Sequence, residues 1–514
     1  MTRRRPAIGL TLVMALPLAM TGCSVVDSLR SDRTAAPSIT AQPVPSDAVG
    51  LERFYTQTLT WSRCSGGECA TLEVPIDYAN PGGETIGISV FRAAASSKNK
   101  RIGALVVNPG GPGGSGVDYA KAADFIVGRA VRDAFDIVGF DPRGVGASAP
   151  VDCVSDDGLD AWLGGDPTPD DPAERTAYTK SSEQFAADCL ANGGPVVRHV
   201  STVEAAKDMD VLRAALGEPK LTYLGKSYGT FLGATYAGLF PTRVGRMVLD
   251  GAIAPDLSSE EINAGQAEGF ERATRAWAQA CVDDGNCPLG GSADEVVRGV
   301  ADLLRTLDTQ PLSTTGDPSI PKLTEGWAAY GIAAAMYDQG MWGTLTDALV
   351  AARKGQGADL IELAQRYADR NPGGGYNGNL MEAIYAVNCL DKPEVASIPA
   401  HEAAEEKARA KAPTWAPFLM WSSVTCAFWP TQPAPAPAPI TAPGAPPIVV
   451  VGTTRDPATP YEWAVRLADQ LSSGVLLSFD GDGHTAYTRS NRCVDDAIDD
   501  FYVKGTVPKD GLTC

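Results

Sequence analysis

Histidine is scarce in this 514-residue chain: only His199, His401 and His484 occur. Any chemistry that needs an imidazole base must use one of these three. No C-x-x-C pair occurs among the 11 cysteines. With so few histidines as well, a zinc site is not expected. Basic residues are in deficit: 43 Lys and Arg against 62 Asp and Glu give a formal charge of -19. Nucleic-acid phosphates need a positive surface, so a nucleic-acid partner is not expected either. Beyond the first 20 residues no apolar run approaches bilayer-spanning length, and no internal repeat is visible. The remaining balance, 44% hydrophobic and 20% charged, is that of a globular protein. It excludes a wholly disordered chain and a multi-span membrane protein. The length suits roughly two to four ordinary domains, or one large domain with an insertion.

Arg3, Arg4 and Arg5 open the chain, Ile8 to Met20 form an apolar run interrupted by Pro17, and Thr21-Gly22-Cys23 follow. This is a secretory signal, too short and wrongly flanked for a stable spanning helix. Its ending, L-A-M-T-G-C, resembles a bacterial lipoprotein signal. Cys23 would then carry a lipid holding the protein to the outer face of the membrane; plain secretion is the alternative. Loss of the three arginines takes the formal charge from -19 to -22. Residues 24–50, rich in Ser, Thr, Ala and Pro, read as a flexible tether. Export implies an oxidising compartment. The ten cysteines after Cys23 fall in neighbour pairs: Cys64 with Cys69, Cys153 with Cys189, Cys281 with Cys287, Cys389 with Cys426, and Cys493 with Cys514. Sequential pairing is one of many connectivities.

From about residue 70 strand and helix patterns alternate. Strand-like runs are Ala70 to Ile76, Ile86 to Ala93, Ala104 to Asn108, Phe135 to Phe140, Leu221 to Gly225 and Arg246 to Asp250. Helix-like runs fill the gaps, notably Val117 to Val131, Ser201 to Leu216 and Tyr228 to Phe240. Ser201 and Glu204 form a capping-box pattern at the second of these. The alternation implies a mainly parallel sheet covered on both faces. Residues 255–430 then turn Ala-rich and helix-favouring, with no clear strand. Eight prolines between Pro430 and Pro447 make a stiff linker. Beyond it Ile448 to Val451 and Val475 to Phe479 read as strands, and Tyr461 to Leu471 and Asp495 to Val503 as helices. The domain plan is a signal (1–23), a tether (24–50), an α/β core (51–254), a helical cap (255–430), a Pro-rich linker (431–447) and the rest of the core (448–514).

Gly225-Lys226-Ser227-Tyr228-Gly229 fits G-x-S-x-G between an apolar strand and a helix, the context of a nucleophile elbow. Glycines flank such a turn because it leaves no room for side chains. A serine hydroxyl needs a base. His199 precedes the nucleophile beside a helix cap, and His401 lies in a charged run and reads as solvated. His484, in the glycine loop Gly481-Asp482-Gly483-His484 after a late strand, fits the order Ser, acid, His of such hydrolases. The acid belongs in the loop after the preceding strand, where Asp456 stands, with Thr459 placed to bond that loop. Asp250 and Asp482 compete for the role.

Asn108-Pro109-Gly110-Gly111-Pro112-Gly113-Gly114-Ser115-Gly116 has five glycines in nine residues between a strand and a helix. It lacks a P-loop lysine and dinucleotide spacing. Beside an elbow it reads as an oxyanion hole, with one donor from Gly111 or Gly110 and the other from Tyr228 N–H. Asp141-Pro142-Arg143-Gly144 reads as a structural turn with an internal ion pair. No feature suggests a metal, nucleotide or redox cofactor.

N-P-G-G-P-G-G-S-G, D-P-R-G-V-G-A-S, G-K-S-Y-G-T, F-P-T-R-V-G-R-M-V-L-D-G, R-D-P-A-T-P and G-D-G-H together resemble secreted tripeptidyl aminopeptidases of actinobacteria. These are relatives of proline iminopeptidases within the α/β hydrolases. The resemblance covers roughly residues 60–255 and 385–514. It implies an α/β-hydrolase fold with a mainly parallel sheet and a large helical cap. It also implies a serine exopeptidase that releases short peptides from free N-termini, with Ser227, Asp456 and His484 as its triad. The family loop often begins with His; here Pro109 precedes Gly110-Gly111, so no side-chain role carries over there. An aminopeptidase must hold an ammonium, for which a cap carboxylate such as Asp391 or Glu382 is a candidate; surface charge is the other reading. Trp342, Trp421 and Trp429 suit either a pocket or core packing. An esterase or lipase on the same triad is the competing function, and a lipid-anchored binding protein with an inactive hydrolase fold is the third. An acidic, Trp-bearing insertion favours peptides over a lipase lid.

Overall fold

The continuous apolar runs form the middle of a ten-stranded sheet in the computed structural model, which describes residues 44–46, 48–285, 287–315, 317–392, 394, 397–429 and 436–514. The signal, Cys23 and most of the tether lie outside the described residues. In chain order the strands are β1 (Ser62–Cys64), β2 (Gly67–Pro75), β3 (Thr85–Ala93), β4 (Gly103–Asn108), β5 (Phe135–Phe140), β6 (Leu221–Lys226) and β7 (Val244–Asp250). The pair β8 (Leu312–Ser313) and β9 (Lys322–Leu323) lies within the insertion, and β10 (Ile448–Arg455), β11 (Gly474–Asp482) and β12 (Leu512–Thr513) follow it. The sheet order is β1-β2-β3-β5-β4-β6-β7-β10-β11-β12. From β5 to β12 every pairing is parallel, and β1, β2 and β3 add antiparallel strands at one side. This is the expected mainly parallel sheet.

All six residues of β4 and all six of β5 are buried, as a sheet covered on both faces requires. Alternate side chains enter different cores: Ala104 and Val106 point to one face, Leu105 and Val107 to the other. The C-terminal ends of the parallel strands carry Asn108, Ser227, Asp250, Asp456 and His484 or the loops that hold them. Ligands gather at this edge in open α/β sheets.

Several local expectations change. The helix expected over 117–131 is three pieces, Gly116–Lys121, Ala123–Ile126 and Arg129–Ala134. The chain turns at Gly128, where a Cβ would lie 2.2 Å from the Asp499 carboxylate of the closing helix Arg492–Lys504. The short β1 and β12 had no readable pattern; Cys64–Cys69 and Cys493–Cys514 tie them down. All five neighbour pairs of cysteines are bonded. The insertion is helical apart from β8 and β9. Two further helices, Asp156–Leu163 and Pro172–Asn192, leave the core between β5 and β6 and pack against the insertion. Trp162 stacks on Phe185 at 4.7 Å and meets Tyr385 edge-on at 5.7 Å. The cap is therefore built from two stretches of chain.

The ion pair expected inside Asp141-Pro142-Arg143 is absent. Asp141 instead accepts from Ser115 Oγ at 2.6 Å and from the N–H groups of Val117 and Ala147 at 3.2 and 3.0 Å. Arg143, 1% exposed, turns to the other side. Its Nε and Nη2 reach the two Asp208 oxygens at 2.7 Å each. Its remaining protons go to the carbonyls of Pro75, Ile76 and His199 at 3.0, 2.7 and 3.0 Å. Removing one partner of a buried pair leaves an uncompensated charge. Arg143→Met is expected to lower unfolding stability by about 3–5 kcal/mol, measured by urea denaturation; an unchanged midpoint would refute this role.

Candidate active site

β6 ends at Lys226 and the helix Tyr228–Leu239 begins two residues later, with Ser227 alone between them. Ser227 makes the reversal at φ 56° and ψ -126°, a conformation that costs a non-glycine residue about 1–3 kcal/mol. The turn is held from both sides. Ser227 N–H donates to Asp250 O at 2.9 Å. Its carbonyl accepts from Thr230 N–H at 2.8 Å and Thr230 Oγ1 at 2.6 Å. The flanking glycines are sterically required: a Cβ on Gly225 would sit 2.2 Å from Gly229 O, and one on Gly229 2.8 Å from Asn108 Oδ1.

Asp456 follows β10 and is fully buried. Both its oxygens lie 2.9 Å from His484 Nδ1. It also accepts from the N–H groups of Ala458 and Thr459 at 2.9 and 2.8 Å, from Thr459 Oγ1 at 2.9 Å and from Thr485 N–H at 3.2 Å. So many donors hold the carboxylate in place, and it in turn fixes the tautomer of the ring. Nε2 of His484 is buried with no partner among the described residues. The competing acids are engaged elsewhere. Asp482 binds Arg455 at 2.8 Å, and Asp250 accepts from the N–H groups of Ala486 and Tyr487 at 2.8 and 3.0 Å.

The glycine loop lies directly against the elbow. Gly110 has φ 97°, and a Cβ there would meet Lys226 O at 2.5 Å and Ser227 Cβ at 2.8 Å. Its N–H is already given to Asn108 Oδ1 at 2.9 Å, so Gly110 packs the site and offers no donor. The N–H of Gly111 has no acceptor among the described residues, and neither has that of Tyr228 at the helix start. These two N–H groups are therefore free to donate, beside the positive end of the helix dipole.

Ser227, His484 and Gly111 open into one cavity of about 400 Å³, roofed from the cap by Tyr337, Met341, Tyr367, Leu380 and Ile384. Among the described residues no Asp or Glu lines it, and Arg366 is the one Lys or Arg that does. The two carboxylates expected to meet an ammonium are placed otherwise. Asp391 accepts from Thr202 N–H at 2.8 Å and from the Thr202 hydroxyl. The hydroxyl of Tyr228 in turn bonds Thr202, so Asp391 supports the nucleophile helix from below. Glu382 accepts from the N–H groups of Cys153 and Val154 at 2.7 and 3.1 Å and joins the two stretches of cap. Trp342, Trp421 and Trp429 are core residues. His401 is buried, not solvated: it bonds Met420 O at 3.3 Å and stacks on Trp421.

With this geometry the comparisons with known proteins agree. The family model described as TAP-like protein matches residues 412–514. Serine protease Hip1 of Mycobacterium tuberculosis is 38% identical over 481 residues, covering 89% of this chain and 91% of its own. Carboxylesterase B of the same species is 40% identical over 458 residues, covering 87% and 86%. Tripeptidyl aminopeptidase of Streptomyces coelicolor is 32% identical over 494 residues, covering 91% and 88%. The chain belongs to the tripeptidyl aminopeptidase-like family of α/β hydrolases. Like its family, it is a serine hydrolase.

Two features of this family member had no sequence signal. Tyr337, just after the cap helix Glu325–Met336, accepts the N–H of His484 at 3.0 Å and meets its ring edge-on at 5.1 Å. The cap thus touches the base directly. A second cavity of about 600 Å³ lies in the cap, lined by Trp162, Tyr178, Tyr330 and Tyr385 with Asp166, Glu174 and Asp308. Tyr330 of this cavity contacts Tyr367 of the first, ring centroids 5.3 Å apart. Oxygens of Asp166, Asp308 and Glu325 lie within 4.8 Å of one another. Burial and this crowding, outweighing the Thr168 hydroxyl, push the Glu325 carboxyl up to about 8, and burial pushes Asp166 up to about 6.

A carboxyl whose folded value exceeds its unfolded one holds its proton longer in the folded state. The stability it brings is complete below its ordinary value and lost as pH rises through the folded value. The melting temperature is therefore expected to fall between about pH 5 and about pH 9, most steeply between the ordinary carboxyl value and the folded Glu325 value of about 8, and to level off above it. Glu325→Gln keeps the acceptor for Thr168 and should flatten that slope in thermal unfolding; an unchanged slope would refute the assignment.

Proposed function

We propose that this serine hydrolase is an aminopeptidase that releases short, tripeptide-like segments from peptides with a free N-terminus. The observation carrying the reading is the shared cavity of about 400 Å³ beneath the cap, which holds Ser227, His484 and Gly111 together. That volume is in the range of small-ligand sites, and it suits a short peptide end in preference to a folded chain. Ser227 Oγ attacks the scissile carbonyl while His484 Nε2 takes its proton, and Asp456 stabilises the resulting imidazolium. The N–H groups of Gly111 and Tyr228 hold the oxyanion. His484 then protonates the leaving amine, and water releases the acyl-enzyme by the same route.

The ammonium needs an acceptor, and Asp166 and Asp308, across the Tyr330–Tyr367 ring contact, take the place first given to Asp391 and Glu382. A second reading, an esterase, is favoured by the lack of any carboxylate among the described residues of the cavity lining.

The test compares a tripeptide anilide with free and acetylated N-termini. Only the free form should be cleaved, and Ser227→Ala should leave less than ~0.1% of the rate. Equal cleavage of both would reject the aminopeptidase, and hydrolysis of short acyl esters alone would establish the esterase. KM for the free peptide should fall as pH rises through about 6, where Asp166 ionises beside Asp170, Glu174, Asp308 and Glu325. Asp166→Asn should remove that dependence.

Five disulfides fit an exported protein, and among the described residues no helix is long and apolar enough to cross a membrane. We propose that export ends with a lipid on Cys23. Metabolic labelling with a fatty-acid probe should mark the protein and be lost in Cys23→Ser; an unlabelled parent protein would establish plain secretion.

A further inference from the structure

The loop that carries His484 is strained and almost completely tied. Thr485 and Thr488 have φ 66° and 64°, conformations that non-glycine residues keep only when their surroundings over-determine them. Every backbone N–H from 484 to 488 has an acceptor. His484 donates to Tyr337 O at 3.0 Å, and Thr485 to Asp456 at 3.2 Å. Ala486 and Tyr487 donate to the two oxygens of Asp250 at 2.8 and 3.0 Å, and Thr488 donates to Asp495 at 2.8 Å. Asp250 is fully buried, as is Lys226 but for 6% of its surface. Lys226 Nζ donates to Tyr487 O at 2.7 Å and lies 3.4 Å from Asp250 Oδ2.

Lys226 immediately precedes Ser227, and the carbonyl of Asp250 accepts the Ser227 N–H at 2.9 Å. The same two residues therefore grip the nucleophile turn through the backbone and the histidine loop through side chains. A buried ammonium is a costly choice for simply filling space, since apolar residues of similar volume serve as well or better. Its geometry gives it another use: it bridges two segments 261 residues apart in the chain. Asp250 at the end of β7, weighed above as a rival to Asp456, is thereby accounted for without any hydrogen bond to the imidazole.

We propose that Lys226 and Asp250 are positioning residues that set the distance and angle between Ser227 and His484 Nε2. The proposal rests on the reading of Ser227 and His484 as nucleophile and base. Neither residue touches the reacting atoms, so both act on the rate of acylation and not on substrate affinity.

The test is the double variant Lys226→Met/Asp250→Asn, which removes the buried charges together at similar volume. The readouts are thermal unfolding, kcat and KM on the substrate the enzyme accepts, and the rate of fluorophosphonate labelling of Ser227. The expected result is a folded protein, an unchanged KM, and kcat and labelling rate both lowered about 10- to 100-fold. A purely structural role would lower the melting temperature and leave kcat, measured well below it, untouched. A folded double variant with the parent kcat and labelling rate would overturn the proposal. If the double variant does not fold, Asp250→Asn alone carries the same readouts. Failure of both to fold would also overturn it, since the pair would then serve folding and not alignment. Absence of labelling in the parent protein would instead overturn the reading of Ser227, and so keeps the two failures apart.

Discussion

The reversal of the chain at Ser227 is the constraint from which the rest of the site follows. A residue with a side chain is held at positive φ between a parallel strand and a helix. That demands empty space around it, hence Gly225 and Gly229, and a neighbouring loop without side chains, hence Gly110. It demands strong anchors, supplied by the carbonyl of Asp250 and by Thr230. It also sets the hydroxyl above the first free N–H groups of a helix, where developing negative charge is favoured. A strained nucleophile is tolerated only because the sheet beneath is packed on both faces, with β4 and β5 wholly buried.

The cap bears on chemistry as well as access. Tyr337 bonds the backbone of His484 and meets its ring edge-on, so the cap helps to hold that imidazole. The cap also concentrates carboxylates that have no cationic partner among the described residues, Asp166, Asp308 and Glu325, behind an aromatic partition. Charge left uncompensated in this way raises proton affinity locally and makes the interior of the cap attractive to a cation. The acidity of the whole chain, read from composition, gives no hint that part of it is buried so close to the catalytic cavity.

What was legible in the sequence had a local signature. Phe135 to Phe140 and Leu221 to Gly225 read as buried strands because they are continuous apolar runs. The elbow was legible because its turn needs glycines at fixed offsets, and Asp456 and His484 because strand, loop and order all agree. Sequential cysteine pairing also stands. What escaped depends on distant partners. Arg143 finds Asp208, 65 residues on, instead of Asp141. The N–H of Gly110 is consumed by the side chain of Asn108, which no glycine count reveals. His401 reads as solvated from its charged neighbours, yet Trp421 covers it. The helices 156–163 and 172–192 join the cap although they precede the nucleophile, because aromatic contacts, not chain order, decide which body an element packs against. Asp391 and Glu382 lie on the helix Leu380–Asp391 but do not line the cavity, a matter of helix rotation that a single motif does not encode.

The five disulfides join residues 5, 36, 6, 37 and 21 positions apart. Two lie in the sheet domain, and three lie within the two stretches that make the cap. None runs from one body to the other. Oxidation therefore stiffens each body separately and leaves their seam to hydrogen bonds, side-chain packing and ion pairs such as Arg489 with Asp338 and Arg466 with Asp256. The covalent framework that suits an oxidising compartment therefore does not itself lock the entrance to Ser227.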